Sequence, residues 1–153
     1  MKEIFMKKAL LEAFKALKKD EVPIGCVIVK DGAVVARAHN LRENKKKATA
    51  HAEILAIEKA CKKLGDWRLD GCELYVTLEP CIMCAGAILN ARIKKVYFGA
   101  REPKGGAVES RFQLLDKGAL NWTTDFEGGV LDEDCALLIT EFFRKKRQEG
   151  HTS

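Results

Sequence analysis

The order of β-rich and helical stretches constrains this chain most. Residues 22–29, "VPIGCVIV", and 33–40, "AVVARAHN", flank Lys30-Asp31-Gly32. Two β-branched runs around an Asp-Gly read as a hairpin. Ahead of it, Phe5, Ala9, Leu10, Ala13, Phe14 and Leu17 share one helical stripe with lysines opposite, the pattern of an amphipathic helix packed on a core. After it, helical and β-rich segments alternate. A helix is expected from about residue 50 to 64, with Ile54, Leu55, Ile57, Ala60, Cys61 and Leu64 on its apolar side. "CELYVTL" is a short buried strand. Residues 81–91 form a helix with Pro80 at its start, where a missing amide costs little. "IKKVYFGA" is a strand, 101–110 a glycine-containing polar loop, and a short helix and strand follow near 122–127. The last helix runs from Asp132 to about Gln148. An opening hairpin followed by such alternation implies an α/β fold, one mixed sheet with helices on both faces. In such sheets sites gather at the C-terminal ends of strands, beside helix N-termini. Both "TLEPCIMC" and "TAHAE" lie at helix starts of that kind.

At 153 residues the chain is expected to be one domain, 1–153, with residues 149–153 frayed. A chain of that length buries roughly 70% of its unfolded surface and needs no disulfide staples. No run of about 20 apolar residues could span a bilayer. The N-terminus has neither an uninterrupted apolar region nor a small-residue cleavage site. The expected location is therefore a reducing cytoplasm, away from membranes. The net charge of +5 leaves a polyanionic partner open without establishing one.

In a reducing compartment the six cysteines, Cys26, Cys61, Cys72, Cys81, Cys84 and Cys135, point to metal or chemistry rather than disulfides. Cys81 and Cys84 form a CxxC at a strand-to-helix junction. A closed structural zinc site needs two more ligands. No second CxxC exists, Cys26 lies in a strand, and Cys61 and Cys135 sit on apolar helix faces. Among the histidines, His39 ends a strand without a companion and His151 lies in the tail. His51 is followed two residues on by Glu53. In mid-helix that spacing separates the two side chains, but at a helix start the first residue is not yet helical. One imidazole and two thiolates supply three ligands and leave the fourth position open, as in a catalytic zinc site. Water bound there loses a proton near neutral pH, and Glu53 can shuttle it. The combination H-x-E then P-C-x-x-C is the pattern of zinc nucleobase deaminases.

From these residues outward, the chain resembles the bacterial tRNA-specific adenosine deaminases. Similar stretches include "EVPIGCVIV", "HN" at 39–40, "TAHAEILAI", "LYVTLEPCIMCAGAILNARIKKVYFGA", "PKGGAVES", "LN" at 120–121 and "GVLDEDCALLITEFFRKKRQ". The zinc motif alone is shared with cytidine, cytosine, deoxycytidylate and guanine deaminases. "MCAGAILNARI" and "EFFRKKRQ" favour the tRNA branch. The resemblance implies a three-layer α/β/α cytidine deaminase-like fold around a mixed five-stranded sheet, a homodimer, and deamination of adenosine to inosine at the wobble position of an anticodon stem-loop. His51, Cys81 and Cys84 would then hold Zn2+, and Glu53 would carry a proton from zinc-bound water to N1 of adenine. Asn40 and the backbone near Ala52 would read the base. Val22 and Ile24 would form an apolar wall, with Pro80 among the substrate-binding positions.

The basic stretches Lys45-Lys46-Lys47 and Arg144-Lys145-Lys146-Arg147, with Arg101 and Lys104, could meet phosphates. Each alone reads as a solvated face. Glu102, Asn121, Phe142 and Phe143 join them as candidate RNA contacts, one of the two phenylalanines being expected in the core. Glu102 stands where the family often has Asp, and Trp122 where it often has His. Ile82, Met83, Ala85, Ile88 and Leu89 offer an apolar helix for dimerisation, though core packing explains the same pattern. Two other readings compete: a deaminase of a free base or nucleoside, and a non-catalytic zinc-containing RNA-binding module. The intact Glu53 argues against the second.

Overall fold

A computed structural model of the chain describes residues 1–152, with side chains to Gly150. The expected frayed tail at 149–153 therefore lies partly outside the described residues. Ten elements follow in order: α1 (Lys2–Lys18), β1 (Gly25–Lys30), β2 (Ala33–His39), α2 (Arg42–Lys45), α3 (Ala52–Leu64), β3 (Cys72–Leu78), α4 (Ile82–Asn90), β4 (Lys95–Ala100), β5 (Asp125–Glu127) and α5 (Asp132–Thr152). A 3-10 turn at Ala119–Asn121 precedes β5. The strands form one sheet in the order β2-β1-β3-β4-β5. β1 is antiparallel to both β2 and β3, whereas β3, β4 and β5 run parallel. The mixed five-stranded α/β sheet expected from the sequence is therefore the one observed.

Strand side chains alternate between faces, and both faces are covered. Cys26 and Ile28 of β1, with Leu74 and Val76 of β3, pack with Ala56, Ile57, Ala60, Ala85 and Ile88 of α3 and α4. Val27, Val29 and Tyr75 pack on the other side with Phe5, Met6, Ala9 and Leu10 of α1 and Cys135 of α5. This is why β1 reads as an uninterrupted apolar run rather than an alternating one.

Two local expectations are revised, and a third, left open between dimerisation and core packing, is decided in part. In α1, Phe14 and Leu17 stay outside the core at 46% and 36% exposure, while Met6 and Ala16 are fully buried. The reason is the approach of α1 to the sheet: a Cβ on Gly25 would strike the Ala9 carbonyl oxygen and the Ala13 amide nitrogen. Over Gly25 itself only small residues such as Ala9 and Ala13 fit, while Phe5, Met6 and Leu10 pack on the sheet beside that contact. His39 is not without companions. Its Nδ1 lies 3.0 Å from Glu12 Oε1 and its Nε2 3.0 Å from Lys19 Nζ. In α4, Ala85, Ile88 and Leu89 belong to the chain's own core, which leaves exposed Ile82 and half-buried Met83 free on that helix.

The short helix α2, absent from the sequence reading, is held from outside. Buried Glu21 accepts the backbone N–H groups of Glu43 (3.1 Å) and Asn44 (2.7 Å) and the Asn44 side-chain amide (2.7 Å). Burial opposes ionisation of Glu21, but the Asn44 side chain and these backbone donors outweigh it and hold its carboxyl below the usual range.

Two predictions follow from this packing. Gly25→Ala forces α1 off β1 and should cost about 3 kcal/mol or more, read as a lower urea midpoint. Glu21 has a lowered native pKa, so its contribution is complete above the unfolded value of about 4.5 and fades as pH falls through the native one. Glu21→Gln should lower the urea midpoint at pH 7 and narrow the difference between pH 7 and pH 4. An unchanged difference would argue against this clamp.

Candidate active site

Two helices begin at the same place. β3 leaves the sheet at Leu78, and Cys81 caps α4 with extended backbone (φ −78°, ψ 178°). His51 caps α3 in a similar conformation (φ −77°, ψ 153°). Neither cap is bound by helical side-chain geometry, so both side chains turn into the gap between the helix starts. His51 Nδ1 lies 3.7 Å from Cys81 Sγ and 3.6 Å from Cys84 Sγ. The three ligand atoms lie within 4.8 Å of one another, the group that could hold a metal ion among the described residues. Zn–N near 2.0 Å and Zn–S near 2.3 Å in a tetrahedron require N···S edges of about 3.6 Å. The observed separations match that edge, and the imidazole and thiols are the donors zinc favours.

Glu53 lies outside this ligand group. Its side chain is 4% exposed and lines the cleft beside His51 and Cys81. Burial pushes its carboxyl up to about 7, against the pull of its own backbone amide. A carboxyl with that pKa can hold or release a proton near neutral pH. Cys81 is drawn down to about 4 by the Cys84 thiol donating to it and by His51 alongside. Cys84 moves up because it donates to the Cys81 sulfur and is buried.

A cleft of about 380 Å³ opens over these groups, lined by Ile24, His51, Glu53, Cys81, Glu102 and Lys104 among others. A smaller recess of about 190 Å³ adjoins it through Ile24 and His51 and is lined by Val22, Asn40, Arg42, Ala52 and Phe143. Asn40 is buried. Its Nδ2 donates to the Val22 carbonyl (3.3 Å), and its Oδ1 accepts the Arg42 N–H (3.1 Å). Asn40, Ala52, Val22 and Ile24 thus line one recess. Pro80 is buried beneath the cleft, its carbonyl accepting the Ala107 N–H at 2.8 Å.

The expected RNA contacts divide. Glu102 and Lys104 line the cleft. Phe142 is core at 9% exposure, while Phe143, 44% exposed, borders the recess. Arg101 pairs with Glu109 at 3.5 Å and covers the Phe98 ring. Arg144 pairs with Glu141 at 2.7 Å. Arg147 is exposed on α5, and Asn121 is exposed at the 3-10 turn. The Trp122 indole N–H is committed to the Ile93 carbonyl at 3.0 Å. Sequence reasoning passed over Arg42 and Glu79. Arg42 had a faint signal, a cation two residues after Asn40. Glu79 had a better one, a carboxylate between Leu78 and Pro80 at a strand end.

This sheet, with one histidine, two cysteines and a non-ligating glutamate at two helix starts, defines a deaminase of the cytidine deaminase-like class. Residues 1–147 match the MafB19-like deaminase family. The tRNA-specific adenosine deaminase of Bacillus subtilis (strain 168) is 51% identical over 147 residues, covering 96% of this chain and 91% of the relative. That of Aquifex aeolicus (strain VF5) is 51% identical over 146 residues, covering 95% and 96%. A structure solved in a study of A-to-I editing by tRNA:A34 deaminases at the wobble position superposes with a TM-score of 0.84 at 48% identity, covering 88% of this chain and 97% of that one. The chain belongs to the tRNA-specific adenosine deaminase family.

The ligand geometry carries its own test. Elemental analysis of the purified protein should find about one transition-metal ion per chain. Cys84→Ala should lose most of it, because two protein ligands no longer close the site.

Proposed function

We propose that this chain hydrolyses adenosine to inosine and ammonia at the wobble position of a tRNA anticodon, with one zinc ion held by His51, Cys81 and Cys84. The observation that carries the reading is the buried Glu53, beside the three ligands yet outside their group, within one cleft. Held by His51, Cys81 and Cys84, a zinc ion would supply Lewis acidity, bringing the pKa of water toward about 7. The remaining work falls to the chain. Glu53 takes a proton from the water and delivers it to N1 of adenine, then takes the second proton from the oxygen added at C6 and gives it to the amine as the C6–N bond breaks. Asn40 orients the base, helped by the backbone at Ala52. Val22 and Ile24 give its faces an apolar seat that excludes solvent.

The target base must leave its stack, which is least costly in a single-stranded loop. Arg42, Lys104 and exposed Phe143 border the two recesses and suit the phosphates and bases flanking a flipped nucleotide. Arg144, Arg147 and Lys45-Lys46-Lys47 extend the cationic surface away from the cleft, and the roles first assigned to Arg101 and Asn121 are peripheral. We place the protein in the cytoplasm as a homodimer; no helix among the described residues is long and apolar enough to cross a membrane. The dimer contact would draw on exposed Ile82 and on the groove between α3 and α4 lined by Ile54, Ile57, Trp67 and Ala87.

Incubation with an anticodon stem-loop carrying adenosine at the wobble position should convert that A to a position sequenced as G. Glu53→Ala should slow conversion by about 10²-fold or more while retaining its metal. Normal conversion by Glu53→Ala would refute the proton-shuttle role. Faster turnover of free adenosine, guanine or cytosine than of the stem-loop would refute the substrate assignment.

A further inference from the structure

Glu79 is a buried carboxylate that the reaction described above does not use. It lies between the end of β3 and the Pro80–Cys81 turn, with 3% exposure. Oε1 accepts the Glu102 N–H at 3.1 Å and the Ser110 hydroxyl. Oε2 accepts the N–H groups of Val108 (3.1 Å), Glu109 (2.8 Å) and Ser110 (2.9 Å). All five donors come from one segment, residues 102–110. No lysine, arginine or histidine forms an ion pair with Glu79 among the described residues. The loop folds so closely around the carboxylate that a Cβ on Gly106 would collide with it.

The segment contains no helix or strand. Its middle is anchored by the buried side chains of Ala107 and Val108, by Ala107 N–H to the Pro80 carbonyl (2.8 Å) and by the Gly106 and Ala107 carbonyls accepting from Arg111, Phe112 and Leu114. Its first residues, 102–105, have fewer ties: Gly106 N–H to the Glu102 carbonyl (2.8 Å) and Lys104 N–H to the Glu102 carboxylate (3.0 Å). Yet it supplies one wall of the cleft. Glu102, Lys104 and Gly105 face the space above Glu53, His51 and Cys81. One carboxylate therefore ties the wall that meets substrate to the turn that carries a metal ligand, two residues away. A buried anion is expensive unless hydrogen-bonded throughout, so its position and that of its donors are set together.

We propose that Glu79 is a positioning residue for substrate: it holds the 102–105 wall at a set distance from the Cys81 turn and so governs how tightly the nucleotide is held, apart from the proton transfers of Glu53. This rests on the stem-loop deaminase reading. Glutamine has one acceptor oxygen and turns an NH2 toward donors, so Glu79→Gln breaks the cradle at constant size. Aspartate keeps the charge and shortens its reach.

The experiment measures amide hydrogen exchange without RNA and steady-state deamination of the stem-loop, below the unfolding temperature of every variant. Glu79→Gln should speed exchange across 102–110 by about tenfold or more and leave α3 and α4 protected. Its KM for the stem-loop should rise about tenfold, with kcat within about threefold and metal content unchanged. Glu79→Asp should recover part of the KM. Glu102→Ala should add less in the Glu79→Gln background than alone, because both act through one wall. If Glu79→Gln does not fold, Ser110→Ala removes one donor and should shift exchange and KM the same way by about threefold. Unchanged exchange or KM in the folded variant overturns the proposal, as does a fall in kcat that tracks metal loss. A wild-type protein inactive on the stem-loop refutes the substrate assignment, while the exchange data still decide whether Glu79 orders the wall.

Discussion

Extended backbone at two helix caps is the constraint on which the site depends. His51 and Cys81 each stand one residue before a helix, in β-region conformation. Had α3 begun a turn earlier, His51 and Glu53 would point to different faces. Had α4 done so, Cys81 would lose the freedom to meet His51. Glu53 and Cys84, already inside their helices, then complete the site from fixed helical positions. The parallel crossover from β3 through α4 to β4 brings α4's start to the C-terminal end of β3, the edge where such folds place ligands.

Around this centre, buried carboxylates organise what the sheet cannot. Glu12 meets His39 and Lys15, Glu21 gathers the α2 turn, and Glu79 gathers the loop after β4. For all three, burial works against the charge and hydrogen bonds outweigh it, leaving each carboxyl below its ordinary range. Glu53 differs. It lacks such a set of donors, and burial moves it up instead. The contrast separates carboxylates that fasten segments from the one positioned to exchange protons. It also follows from elementary solvation: a buried acid stays charged when donors surround it and takes up a proton when they do not.

Much of this was legible in the sequence because its signals are local. The Asp-Gly hairpin, the alternation of helices and strands, and Pro80 at a helix start are short-range patterns. They correctly implied a mixed sheet covered by helices on both faces, and the family resemblance its five strands. The spacing of His51, Glu53, Cys81 and Cys84 likewise carries the chemistry of a single metal centre. Less legible was the face α1 turns inward. Phe14 and Leu17 fit the helical stripe as well as Met6 and Ala16 do, and the clearance left by Gly25 decides between them. The same limit applied to α4, where a dimer contact and core packing fit the apolar pattern equally, and Ala85, Ile88 and Leu89 prove to be the chain's own core.

The sequence by itself determined the fold class and which residues, His51, Cys81 and Cys84 with Glu53 beside them, could form a metal site, because each is written in spacing along the chain or in residue chemistry. Only the tertiary structure decided which groups share a cleft. It separated Phe143 from Phe142, sent the Trp122 indole into the protein, and paired Arg101 and Arg144 with nearby acids. It also showed Glu79 collecting five donors from more than twenty residues away. These outcomes depend on distances between segments far apart in the chain, where no local pattern reports which buried charge will find its partners.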